Sequence, residues 1–109
     1  MPITRKIPVA LEGEIPVGKS RSFRYGFANG IAYNDAGIIK AYVNACTHMG
    51  GTVELKDSVF RCCRHEAEFA PETGERLSGQ APEGSRLTPI TLVSENGQIF
   101  AILEFKEDF

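Results

Sequence analysis

The chain has 109 residues, 42% of them hydrophobic and 24% charged, which suits a single domain with an ordinary core and leaves no room for a two-domain enzyme. A formal charge of −2, with Lys and Arg scattered, offers no basic stripe for a phosphate backbone and excludes nucleic acid as a partner. No run approaches the ~20 apolar residues of a bilayer-crossing helix, so the chain is expected in the cytoplasm, unanchored. A monomer is expected separately.

Runs suited to strands recur at Lys6–Leu11, Ser20–Tyr25, Gly30–Tyr33, Ile38–Asn44, Ser58–Cys62, Ile90–Val93 and Gln98–Phe105, separated by Gly, Pro, Asn or Asp. Asn34-Asp-Ala-Gly37 predicts a hairpin between the third and fourth runs. Glu95-Asn-Gly-Gln98 predicts another between the last two, because an Asn-Gly pair tolerates the positive φ of a tight turn. No segment of eleven or more residues carries an i, i+3, i+4, i+7 apolar stripe, and the eleven Gly and six Pro are spread along the chain. The expected fold is therefore all-β, an antiparallel sandwich or barrel-like domain spanning 1–109 with loops at its ends. Phe69, Phe100, Phe105, Leu92, Ile99, Ile102 and Val43 are expected in the core.

Three cysteines are too few for a disulfide framework, and closely spaced Cys and His read first as metal ligands. Both histidines of the chain lie beside cysteines. The first segment is Cys46-Thr-His48-Met-Gly-Gly51; after thirteen residues between His48 and the next cysteine comes Cys62-Cys-Arg-His65-Glu-Ala-Glu-Phe69. In extended backbone, residues two apart point the same way about 6–7 Å apart, so Cys46 and His48 can reach neighbouring metal atoms together. The second segment supplies the opposing pair. Two thiolates and two imidazoles also satisfy one tetrahedral zinc, although the order Cys, His, Cys, His is unlike that of a zinc finger. Cys62-Cys63-Arg64-His65 contains a C-x-x-H from Cys62 and a C-x-H from Cys63, of which only one fills the position.

C-x-H followed by C-x-x-H, with Gly50 after the first pair and Phe69-Ala-Pro-Glu-Thr-Gly74 after the second, resembles the Rieske family. Leu77-Ser-Gly79-Gln-Ala-Pro82 is similar to that family's third, proline-bearing loop, and the likeness runs from about Glu14 to Leu103. The resemblance implies the Rieske fold, with a small cluster-binding subdomain at about 45–83. It also implies one [2Fe-2S] cluster, with Cys46 and Cys62 on the inner iron and His48 and His65 on the outer. Two neutral imidazoles in place of two thiolates make the oxidised core neutral, so it accepts an electron more readily.

The implied function is that of a soluble one-electron ferredoxin between an NAD(P)H-dependent flavoprotein reductase and a terminal oxygenase or similar acceptor. With both histidines engaged as ligands, no nucleophile–base pair remains and no turnover of its own is expected. The alternatives are a small Rieske subunit fixed in a larger oxidoreductase, such as a nitrite reductase, and a zinc-stabilised interaction module. The quinol-oxidising branch of the family carries a disulfide between its loops where this chain has Gly51 and Arg64, and Ser and Tyr hydroxyls where it has Ala67 and Phe69. These departures imply a potential of roughly −150 mV rather than about +300 mV. Glu66 replaces the glycine usual after the second histidine, which alters the surface where electron partners dock.

Overall fold

The structure, a computed structural model, describes residues 2–26, 28–44, 52–62, 67–78 and 86–106. These residues form β1 (Pro2–Leu11), β2 (Ser20–Tyr25), β3 (Ala28–Asp35), β4 (Ile38–Val43), β5 (Val53–Lys56), β6 (Val59–Cys62), β7 (Glu68–Phe69), β8 (Arg76–Ser78), β9 (Pro89–Ile90), β10 (Leu92–Glu95) and β11 (Gln98–Lys106). There is no helix among the described residues, so none is long and apolar enough to cross a membrane.

The strands make three antiparallel sheets, β1-β11-β10, β2-β3-β4-β9 and β5-β6-β7-β8. The second is the central layer. Its strand β3 is buried without a break from Gly30 to Asn34, because both faces are covered. Ile31 and Tyr33 pack with Val53, Phe60 and Phe69 of the third sheet. Ala32, pointing the other way, packs with Val9, Ile99 and Ala101 of the first. Tyr42 and Ala41 repeat that division on β4.

Both expected hairpins are present. Ala36 (φ 51°) and Gly37 (φ 98°) turn β3 into β4, and Asn96 (φ 51°) and Gly97 (φ 78°) turn β10 into β11, with positive φ at both central residues as a tight primed turn requires. A third such turn joins β5 to β6 through Asp57 (φ 50°) and Ser58 (φ 67°) and contains no glycine. That absence hides the turn in the sequence: β5 was not expected, and Ser58, read as the first residue of a strand, lies instead in the turn. Left-handed backbone strains a serine, so Ser58→Gly is expected to stabilise the fold by about 0.5–1 kcal/mol, net of glycine's entropy. A thermal melt should show a midpoint raised by a few degrees; an unchanged or lower midpoint would deny the strain.

Other differences have simple causes. The expected strand Ile90–Val93 is divided at Thr91: β9 pairs with β4 in the central sheet, and β10 pairs with β11 in the first. One extended run thus passes between layers, with Ile90 buried and Leu92 packed beside it. β7 and β8 are too short to carry a periodic signal. In β11 both phases of the alternation are apolar; Ile99 and Ala101 face the core, while Phe100 and Ile102 are half-buried. Val43 and Leu92 are also half-buried, and the side chain of Phe105 lies outside the described residues. The largest fully buried side chains include Phe60, Phe69 and Leu87.

Candidate metal centre

The third sheet brings its chain ends to one place. β5 begins at Val53 and β6 ends at Cys62, and these two residues are register partners. At the same end β7 begins at Glu68, which pairs with Arg61 on one side and with Ser78, the last residue of β8, on the other. The segments 45–52, 63–66 and 79–85 therefore all leave from one end of the sheet. Those are the segments that hold the Cys46, His48 and His65 motif residues and Gly79-Gln-Ala-Pro82.

Cys62 is the expected ligand that the described residues contain. Its residue exposure is 2%, and it packs with Val53, Phe60, Ala67 and Phe69. Its backbone N–H donates to the Ala67 carbonyl at 2.8 Å, so the chain returns to the same edge five residues later. Cys46, His48 and His65 lie outside the described residues, as do Gly50, Gly51, Cys63, Arg64, Glu66 and Gly79.

The surroundings of Cys62 suit an iron ligand. A thiolate buried among apolar groups is costly alone, and a metal that shares its charge offsets the cost. Ala67 and Phe69 are wholly buried beside it; they exclude water and have no hydroxyl to donate. On β6 and β7, Arg61 binds the Glu68 carboxylate at 2.8 Å, so the charges flanking the second loop are paired.

The first loop is closed at its base by a side chain that sequence reasoning passed over. Asn44, buried at the end of β4, accepts the Val53 N–H on Oδ1 at 2.7 Å, and its own N–H donates to the Asn29 carbonyl at 2.7 Å. The one signal available was a polar residue ending an apolar strand two positions before the first cysteine.

The opposite end of the third sheet is held by Tyr42. Its hydroxyl donates to the Pro71 carbonyl at 2.8 Å, and its ring meets Phe60 edge-on at 6.1 Å. Gly74 (φ 78°) lies against that ring: a Cβ there would come within 2.9 Å of it and 3.2 Å of the Leu87 carbonyl. The Gly74 of the Phe69–Gly74 segment therefore serves packing against the central sheet.

Burial, reinforced by Glu72 and Asp35 and partly opposed by Arg86, pushes the Tyr42 hydroxyl up to about 12. Because the folded chain holds this proton more tightly than the unfolded one, the contribution is complete below pH 10 and is lost as pH rises to about 12. The loss amounts to about 2–3 kcal/mol. Urea unfolding between pH 9 and 12 should show this decline, and Tyr42→Phe should flatten it. Burial raises Tyr25 and Tyr33 in the same direction, so some slope remains in the variant.

A model of the Rieske [2Fe-2S] domain matches residues 5–89. The chain belongs to the Rieske family. As a Rieske domain it is a [2Fe-2S] domain rather than a zinc module, and the all-β architecture with antiparallel sheets agrees with the Rieske fold. It is 33% identical over 79 residues to the cytochrome b6-f complex iron-sulfur subunit of Chlorobaculum thiosulfatiphilum, a match covering 71% of this chain. The match spans only 43% of that relative's length.

Among solved structures, the Rieske domain superposes on the ferredoxin of carbazole 1,9a-dioxygenase from Nocardioides aromaticivorans IC177 with a TM-score of 0.67, covering 88% of this chain and 95% of that one at 17% identity. A chain from the complex of reduced oxygenase and oxidized ferredoxin in carbazole 1,9a-dioxygenase gives 0.70, covering 88% and 91% at 22% identity. A quaternary ammonium Rieske monooxygenase gives 0.75, with 88% of this chain on 30% of that one at 17% identity. At these identities the likeness is one of fold.

Proposed function

We propose that this Rieske domain is a low-potential, one-electron ferredoxin whose cluster is held by Cys46 and Cys62 on the inner iron and by His48 and His65 on the outer. The cluster supplies reversible one-electron chemistry. The chain's own part is to hold it at the end of the β5–β8 sheet, with Cys62 walled in by Val53, Phe60 and Phe69. Cys62 is preferred to Cys63 because a buried thiolate beside Ala67 and Phe69 has the dry setting of an inner ligand. The exits of all three loops from one end support a cluster-binding part at about 45–83 within a single domain.

The observation that carries the low potential is the burial of Ala67 and Phe69 with Cys62. A hydroxyl donated toward the sulfurs would stabilise the reduced cluster, and neither side chain has one. The expected potential is roughly −150 mV, within reach of electrons from NAD(P)H through a flavoprotein reductase. The oxygenase acceptor is suggested by the carbazole dioxygenase ferredoxin, whose fold matches over nearly its whole length. The reading includes a monomeric, cytoplasmic protein.

A second reading is a Rieske subunit fixed in a larger oxidoreductase, favoured by the cytochrome b6-f relative. Redox titration followed by EPR, with iron analysis, separates the two. A rhombic reduced signal with two irons per chain and a midpoint near −150 mV supports the ferredoxin, whereas a midpoint near +300 mV places the chain with the quinol-oxidising proteins.

A further inference from the structure

We propose that Asn44 is a positioning residue for the cluster: by accepting the Val53 amide, its carboxamide closes the loop that carries Cys46 and His48 and fixes that loop to β5, which pairs with the strand bearing Cys62. The proposal rests on the ligand set given above.

The contacts at Asn44 converge from several elements. It directly follows β4, its backbone N–H is held by the Asn29 carbonyl of β3, and its Oδ1 takes the N–H of the first residue of β5. Val53 in turn faces Cys62 in register, and the Cys62 N–H ties to the Ala67 carbonyl to close the second loop. The Asn44–Val53 bond and the Cys62–Ala67 bond thus lie side by side at the base of the two ligand loops, brought together by the Val53–Cys62 register pair.

Chemistry favours an amide at this place. Val53 is 3% exposed and Asn44 9%, so water is a poor substitute as acceptor for the Val53 N–H. A carboxamide reaches that N–H with no net charge, and an uncharged group beside a cluster leaves its redox balance undisturbed. Cys46 stands two residues beyond Asn44, at most about 7 Å of chain, so the bond acts on the ligand with almost no intervening length. Closing the loop before the ligands are engaged reduces the entropy lost in holding them.

The test compares the iron-loaded parent with Asn44→Leu, which keeps the volume and removes the acceptor, and Asn44→Asp, which keeps an acceptor oxygen. Iron release to a chelator, the EPR spectrum of the reduced protein and deuterium uptake by the Val53 peptide are measured on each. Asn44→Leu is expected to release iron about 10- to 100-fold faster, the usual cost of losing an outer-sphere partner, with shifted and broadened g-values and faster Val53 exchange. Asn44→Asp should release iron close to the parent's rate.

Tyr42→Phe, which removes a different buried hydrogen bond from the same core, should lower stability without moving the g-values. A merely structural Asn44 would behave as Tyr42 does, and that result would overturn the proposal. So would iron release from Asn44→Asp about 10-fold or more faster than from the parent, a comparison that still decides if Asn44→Leu proves too unstable to load. A parent that binds no iron refutes the ligand set instead, which keeps the two failures distinct.

Discussion

Replacing Cys62 by alanine is expected to abolish iron binding, taking the chain from two irons to none and erasing the visible and EPR signals of the cluster. The proposed inner iron has two protein ligands, Cys46 and Cys62, and an alanine methyl cannot replace a thiolate. Cys62 ends β6 in register with Val53 and is walled in by Phe60 and Phe69, apolar side chains that offer no ligand atom in its place. Because metal ligation couples to folding, the variant should also unfold at lower temperature than the loaded parent, and the two should converge once iron is stripped from the parent. Iron analysis of freshly purified protein reads the first effect and a thermal melt the second. Two irons retained in Cys62→Ala would move the ligand to Cys63, the neighbour that the C-x-x-H and C-x-H patterns leave in competition.

The largest effect on the fold itself is expected at Phe60. Its side chain is fully buried on β6, two residues before Cys62 and on the same face of the sheet. It meets the rings of Tyr33 at 6.0 Å and Tyr42 at 6.1 Å, both edge-on, and so joins the third sheet to the central one. Phe69 is its register partner on β7. Phe60→Ala removes these contacts and leaves a cavity between two sheets, at a cost of about 3–5 kcal/mol. For a domain whose whole stability is about 5–15 kcal/mol, the urea midpoint should fall steeply. Iron should be held less firmly as well, since Phe60 is part of the wall behind Cys62. A loss under about 1 kcal/mol would mean that the two sheets close over the gap, and that Phe60 does not set their spacing.

Both predictions depend on features that differ in how plainly the sequence displays them. The motif residues were legible without a structure, because two Cys–His pairs at short spacing have few other uses and the flanking Gly and Pro segments repeat the family's pattern. The hairpins at Ala36-Gly37 and Asn96-Gly97 were legible too, since glycine or asparagine advertises positive φ. The β5–β6 hairpin was not, because Asp57 and Ser58 adopt the same backbone without such a signal. Asn44 was read only as the end of a strand; a side-chain-to-backbone bond spanning nine positions leaves no periodic trace.

Local sequence determined the all-β character, the breaks between strands and the chemistry of the ligand pairs, because backbone propensity, turn residues and donor atoms act over a few positions. Tertiary structure decided which faces are inside. In β11, where Ile99-Phe-Ala-Ile102 is apolar in both phases, only packing against Val9 and Ala32 selects Ile99 and Ala101 for the core. Thr91 likewise passes one extended run from the central sheet to the first, a division no local pattern marks. The same long-range pairing places Val53 beside Cys62 and Glu68 beside Ser78, so that three loops distant in sequence leave from one end of one sheet. Register between strands is a property of partners, and a single strand does not contain it.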